Sequence, residues 1–588
     1  MKGFFKFTLA SILGVILGII ILVFIGLGIG SAISAEKPVE LEDNTILVAK
    51  FEGPIMDRKP ESPFGFNPAS FGEPAVLGLD EILKNIEKAK DDDNIDGIFL
   101  DLSVIPAGAA TLEEIRNALI DFKTSEKFII AWSDDFISQG TYYLATVADK
   151  VYLAPQGNLL LLGLKSEVIF FKKALDKLGI EFQVLKYGEY KGATEPLLYE
   201  KLSKENREQI QQYLNSMWGH ISENISEARG IPVDELNRYA DELLITNADD
   251  ALEYKLVDGL KYYDEILDEL KELTNTDEDD DLEAVSMAKY TKAPKEKKHK
   301  GLAKNKIAVI YATGNIQDGE GDDGAIGSDV FAKAIRKARK DSTIKAIVLR
   351  INSGGGSGLA SDIIWREVKL AAETKPLMVS MGNAAASGGY YIAAPADKIF
   401  AGPMTITGSI GVFGIFPNMQ KLFNDKLGIT TDPVVTNKHS NFPTVFEPLG
   451  EFERITLQKE VDNFYDGFVE IVAEGRGMTT EQVDEIARGH VYTGLDALEL
   501  GLVDEIGGLN AAIAAAVEAA DVEEYRIVKL PKVEDPFEKL LKSMKGEARM
   551  KFAKKTLGEK YFYLEKIEEI KDIEGVQARL PYIIKTDF

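Results

Sequence analysis

Apolar residues in this chain form two kinds of run. The first is one unbroken stretch: residues 7–33 carry no charge and are mostly Leu, Ile, Val, Phe and Gly. About 20 apolar residues of helix span the hydrocarbon core, whereas a cleaved signal peptide carries only ~7–15. The stretch is therefore expected to be an uncleaved transmembrane anchor, although Ser31, Ala32, Ser34 and Ala35 also read as a cleavage site. Lys2 and Lys6 precede it, while Glu36, Glu40, Glu42 and Asp43 follow it with Lys37. That asymmetry predicts residues 1–6 in the cytoplasm and the remainder on the far side. No later stretch is long and apolar enough to span again.

The second kind is short and β-branched, and it alternates with helical periodicity. Ile307-Ala308-Val309-Ile310-Tyr311 precedes a helical pattern over 329–340, then an apolar run over 346–351. A helical pattern over 359–373 and the run Leu377-Met378-Val379-Ser380 come next. This alternation predicts an α/β fold around a largely parallel sheet.

The pattern occurs twice. Asn94-Ile95-Asp96-Gly97-Ile98-Phe99-Leu100 matches Thr343-Ile344-Lys345-Ala346-Ile347-Val348-Leu349, and Tyr142-Tyr143-Leu144-Ala145 matches Tyr390-Tyr391-Ile392-Ala393. Ala251-Leu252-Glu253 with Leu256-Val257-Asp258 matches Ala497-Leu498-Glu499 with Leu502-Val503-Asp504. The partners stay about 250 residues apart, which order and type make an internal duplication. One half is expected over 43–273 and the other over 305–508. Between them, residues 274–304 hold Asp277-Glu278-Asp279-Asp280-Asp281 and Lys295-Glu296-Lys297-Lys298, a composition that reads as a solvated linker. Residues 509–588 are expected to be an α/β extension without a counterpart in the first half.

Composition narrows the function. A chain of 588 residues exceeds one hydrophobic core, in keeping with two domains. A net charge of −27 argues against nucleic acid as a partner, since such binding needs a basic face. The absence of cysteine excludes disulfides, thiolate metal sites and a Cys nucleophile, and four histidines (His220, His299, His439, His490) make a His-rich metal centre a poor expectation. No metal or organic cofactor is expected.

A duplicated fold keeps its core twice and needs its reactive groups once, so differences between the halves point to chemistry. Asn352-Ser353-Gly354-Gly355-Gly356-Ser357 follows a strand and precedes a helix, where backbone N–H groups can hold a developing oxyanion. The first half has Ser103-Val104-Ile105-Pro106-Ala107 instead. Ala384-Ala385-Ala386-Ser387-Gly388-Gly389-Tyr390 crowds small residues around one serine at a strand-to-helix turn, similar in logic to a nucleophile elbow. Gln139 takes the place of Ser387 in the first half. The third difference is reversed: Lys191, within Tyr190-Lys191-Gly192-Ala193-Thr194-Glu195-Pro196, faces Pro443 in the second half. One half lacks the serine and the other the lysine. A lysine buried between domains can lose its proton near neutrality and act as a base.

These segments, with Thr407-Gly408-Ser409-Ile410-Gly411-Val412 and the anchor, resemble the long form of signal peptide peptidase A over nearly the whole chain. That resemblance implies two tandem ClpP/crotonase-like domains, preceded by one transmembrane helix. It implies Ser387 as nucleophile, Lys191 as general base and acid, and Ser409 orienting the lysine; Leu161 is the counterpart of Ser409 in the first half. It assigns the oxyanion hole to Gly355 and Gly388, with Gly356 adjacent. The family often has Asn-Ser-Pro-Gly-Gly, and Gly354 here replaces the proline. It further implies a homotetramer at the bacterial cytoplasmic membrane, with the catalytic part outside, that cuts signal peptides and other hydrophobic peptides. Three other readings stay open from the residues: an acyl-CoA enzyme on the same fold, a non-catalytic membrane scaffold, and His439 replacing Lys191 as base.

Overall fold

The computed structural model describes residues 40–59, 76–294, 303–532 and 576–580, with Gly14 and Gly18. The expected anchor, residues 7–33, lies outside them apart from those two glycines. Among the described residues no helix is long and apolar enough to cross a membrane.

Each half is an α/β layer built on a parallel sheet. In the first, the spatial order is Gly259–Leu260, Lys150–Leu153, Phe128–Ser133, Ile95–Asp101, Thr45–Ala49, Ala284–Ser286, all in parallel. In the second, Glu505–Ile506, Lys398–Ala401, Leu377–Ala386, Ile344–Ser353, Asn305–Thr313 and Tyr525–Leu530 repeat that order, again in parallel. The irregularity recurs as well: register slips between Thr45 and Ile46, and between Lys306 and Ile307. Strands buried on both faces need continuous apolar runs, which is why Ile307, Ala308, Val309 and Ile310 are all fully buried. The flanking helices are amphipathic. Leu79–Asp91 buries Leu79, Ile82, Leu83, Ile86 and Ala89, and Ser328–Lys340 buries Phe331, Ala332, Ile335 and Ala338, each a 3.6-residue stripe.

Two boundaries differ from expectation. The stretch expected as a solvated linker is folded in part: Ala284–Ser286 adds an edge strand to Thr45–Ala49, and the following turn buries Tyr290. Tyr290 Oη donates to Asp92 (2.8 Å), and Lys88 Nζ donates to the carbonyls of Tyr290 (3.1 Å) and Ala293 (2.7 Å). Charges on either side concealed one short apolar strand. The segment after Gly508 also has a counterpart. Helix Leu509–Ala519 and strand Tyr525–Leu530 cover the second sheet as helix Tyr263–Leu273 and strand Ala284–Ser286 cover the first. They share position without sharing residues, so comparing residues could not pair them.

A third, mixed sheet joins the halves. Its order is Ile326–Gly327, Ile316–Gln317, Gly355–Ser357, Val576–Arg579, Val412–Asn418, Glu181–Tyr187. Glu181–Tyr187 belongs to the first half and pairs antiparallel with Val412–Asn418 of the second through seven residue pairs. A buried ion cluster adds to this join. Arg350, fully buried on the second sheet, donates Nε to Asp57 (2.7 Å) and Nη2 to Glu114 (2.6 Å), both from the first half. Glu114 also accepts the Leu509 amide (2.7 Å), and Asp57 accepts Asn352 Nδ2 (2.9 Å). Burial pushes the Glu114 carboxyl upward and is opposed by Arg350.

Removing one member of such a cluster leaves its partners charged and dry. Arg350→Ala is expected to cost about 3–5 kcal/mol, read as a large fall in the thermal midpoint. Lys369→Ala, which breaks a peripheral pair with Glu474, should leave the midpoint almost unmoved.

Candidate active site

Ser387 stands where strand Leu377–Ala386 gives way to helix Gly388–Ala393. Its backbone takes φ 55° and ψ −116°, an uncommon conformation for a residue with a Cβ. Ser387 N donates to Gly408 O (2.8 Å), which fixes the turn. The small neighbours have a steric cause: a Cβ on Gly388 would sit 2.6 Å from Ser361 Oγ, and one on Gly389 2.8 Å from Ser353 O. Ser409 also has positive φ (51°), and its amide donates to His490 O (2.6 Å). Strain of this kind gathers where a geometry is imposed from outside.

Lys191 arrives from the first half, a few residues beyond the joining strand Glu181–Tyr187. Its neighbours are fixed on both sides. Tyr190 N donates to Arg488 O (3.2 Å), and Gln209 links Tyr190 O (2.9 Å) to Val491 N (3.1 Å). Gly489 has φ +86°, and a Cβ there would lie 2.7 Å from Lys191 N. The second half thus presses its backbone directly on that of the lysine.

The side chain of Lys191 is fully buried. Nζ lies 2.7 Å from Ser387 Oγ, 3.0 Å from Ser409 Oγ and 2.9 Å from Ser409 O. All three partners are uncharged oxygens, and burial holds the amine well below its ordinary pKa. A neutral amine has two N–H donors and one lone pair. If both donors go to the two oxygens of Ser409, the lone pair faces the Ser387 hydroxyl. That arrangement can take a proton from Ser387.

The three glycines separate. Gly355 has φ +98°, and its Cβ position falls 2.8 Å from Gly388 N, so Gly355 and Gly388 converge beside Ser387. The Gly355 amide itself donates to Ser353 Oγ (3.1 Å). Gly356 faces elsewhere: a Cβ there would collide with Ile316 O, so it is held against strand Ile316–Gln317.

The profile of peptidase family S49 matches this chain twice, at residues 121–277 and 369–523. The chain belongs to peptidase family S49. Lys191 falls in the first match and Ser387 in the second, so the duplication and the paired residues coincide. Protease 4 of Haemophilus influenzae is 38% identical over 75% of this chain and 73% of its own length. Protease 4 of Salmonella typhi is 36% identical over 80% and 76%. The chloroplastic serine protease SPPA of Arabidopsis thaliana is 32% identical over 86% and 75%. This S49 member is a serine protease with tandem α/β halves. Among solved structures, a ClpP1 mutant from Listeria monocytogenes covers 35% of this chain and 94% of its own at 20% identity, with a TM-score of 0.24, too slight a likeness to describe the fold.

The first half of this S49 peptidase has closed its equivalent position. Gln139 starts helix Gln139–Ala145, and its Oε1 accepts the amides of Leu162 (3.0 Å) and Gly163 (2.9 Å). Leu161 is buried beside that loop. His439 bonds Glu453 (2.5 Å) and is not among the partners of Ser387 Oγ, which among the described residues are Lys191 Nζ and, weakly, Gly411 O (3.5 Å).

Sequence reading missed the supporting residues. Asn352 Oδ1 accepts Ala384 N (3.2 Å), and Asn383 exchanges hydrogen bonds with Thr111 of the first half (3.1 and 2.8 Å). A signal existed in Arg350, a lone cation inside the apolar run 346–351, where a buried charge requires a partner. Gln209 and Gly489 gave no such signal.

Gly489→Ala tests the backbone contact. The methyl group must displace Lys191, so kcat is expected to fall about a hundredfold, the cost of roughly 1 Å of misplacement, with the circular dichroism spectrum retained.

Proposed function

We propose that this peptidase is a membrane-anchored endopeptidase working through a Ser387–Lys191 dyad on cleaved signal peptides and other hydrophobic peptides. The observation that carries the reading is a buried, uncompensated amine 2.7 Å from a serine hydroxyl. Neutral Lys191 takes the Ser387 proton as Oγ attacks the peptide carbonyl. The developing oxyanion is met by the Gly388 amide, with Gly355 at the rim and its amide available on leaving Ser353. Protonated Lys191 then gives its proton to the leaving amine, and water repeats the sequence on the acyl-enzyme. Ser409 keeps the amine aimed by accepting both of its other protons.

The substrate class is supported by an Enterococcus faecium protein named "Putative signal peptide peptidase SppA", 36% identical over 35% of this chain and 61% of its own length. The uncharged run over residues 7–33 supports anchoring at the cytoplasmic membrane with the catalytic halves outside. A homotetramer and a ClpP/crotonase-like description of each half belong to the same proposal through the family resemblance. An acyl-CoA enzyme would leave the buried lysine on Ser387 without a task, and a scaffold would have no use for two strained serines around it.

Ser387→Ala and Lys191→Ala should each lower peptide cleavage at least about a thousandfold with the fold intact. Full activity in either would sink the dyad. The pH profile supplies the sign. Only neutral Lys191 accepts the proton, so kcat/KM should rise with pH through one ionisation, centred well below the ordinary lysine value near ~10.4. Ser409→Ala should lower kcat about tenfold or more with little change in KM and move that midpoint downward, because it removes an acceptor that favours the charged amine.

A further inference from the structure

Lys191 is fully buried, yet Tyr190, the residue before it, is only half-buried. The backbone that Lys191 rests on repeats this gradient. Gly489 is buried against the lysine, and His490 next to it is half-buried. The two half-buried residues meet: the rings of Tyr190 and His490 lie edge to face, with centroids 4.4 Å apart and planes at 63°. His490 also stacks on the buried ring of Tyr492, at 4.4 Å and 25°. Both arrangements are favoured ones for aromatic pairs. One ring comes from the first half and two from the second.

This row of rings is fastened to the site. Tyr492 Oη donates to Ile486 O (2.8 Å), and Tyr190 N donates to Arg488 O (3.2 Å). The carbonyl of His490 accepts the Ser409 amide (2.6 Å), and the oxygens of Ser409 accept from Lys191 Nζ. The first half has no such row at the corresponding place. Asn247 and Thr493 cap equivalent helices, which sets Leu244 and Thr246 where His490 and Tyr492 stand. A core that is built twice does without these rings once, so they serve what is found once, the lysine and its serines.

We propose that His490 is a positioning residue that bridges Tyr190 and Tyr492, keeping water from Lys191 and holding its segment against the second half. This rests on the dyad reading above. Burial is what lowers the pKa of Lys191, so an opening that admits water returns the amine toward its ordinary value and its charged, unreactive form. Carboxylates also act on the imidazole: Glu189 from the lysine segment, itself paired with Arg488 (3.6 Å), and Asp496 from helix Gly494–Glu499. The bulk of the ring and its charge are separable by substitution.

The pH profile of apolar-peptide cleavage by the detergent-solubilised full chain tests this. His490→Ala removes the ring and leaves the carbonyl that holds Ser409. Its kcat at the alkaline plateau should fall about tenfold or more with KM little changed, and the midpoint of kcat/KM should rise by about one pH unit or more toward ~10.4. His490→Phe keeps a ring without the charge and should recover most of the rate together with the wild-type midpoint. Tyr190→Ala opens the same contact from the first half and should show the same rise, which supplies the test if His490→Ala does not fold. A midpoint unmoved in the alanine variants would overturn the inference. A His490→Phe profile displaced as far as that of His490→Ala would overturn it too, by assigning the effect to the imidazole charge. Loss of activity in Lys191→Ala would leave the dyad standing in both cases, whereas full activity there would remove the dyad reading and this inference together.

Discussion

A lysine amine held out of water with no carboxylate to neutralise it is the constraint on which the site depends. Burying an isolated ammonium is so costly that the group gives up its proton instead. Lys191 faces that cost: it is fully buried, and among the described residues only the oxygens of Ser387 and Ser409 lie at hydrogen-bonding distance. Much of the surrounding architecture serves to keep it there. The strand Glu181–Tyr187 delivers it across the boundary between halves, and Gly489 gives its backbone a flat surface to rest on.

The join between the halves resists that expense. Arg350 is buried too, but with two carboxylates around it, and those come from the other half. The two buried cations thus illustrate opposite solutions within one fold. One is compensated and keeps its charge, which locks the halves together. The other has only uncharged oxygens beside it among the described residues, and burial holds its pKa well below the ordinary lysine value. Asp57 connects the two regions, since it also holds Asn352 at the entry to the glycine strand.

Much of this was legible in the sequence. Alternating apolar runs gave the α/β sheets because strands buried on both faces must be apolar throughout. The asymmetry between copies isolated Ser387 and Lys191, since a duplicated core does not require either. Other features resisted for physical reasons. A three-residue strand, Ala284–Ser286, is too short to stand out among charges. The counterpart of Leu509–Ala519 shares only a place on the sheet. The strand Val576–Arg579 is stabilised by backbone pairing and by what lies beside it, and its own residues hardly advertise it. Gly356 follows Gly355 directly, and its bare side meets the backbone of Ile316.

Gln139 has a further consequence. Its amide oxygen ties down the loop at Leu162 and Gly163, at the place in the first half where the second half carries Ser387. Two identical subunits meeting face to face must each preserve the whole catalytic set, because symmetry copies every loss. Fused copies escape that rule. One can discard the serine and the other the lysine, and each discard makes the remaining partner indispensable. With Lys191 on one half and Ser387 on the other, 2.7 Å apart, the join between the halves also sets the distance between those two groups.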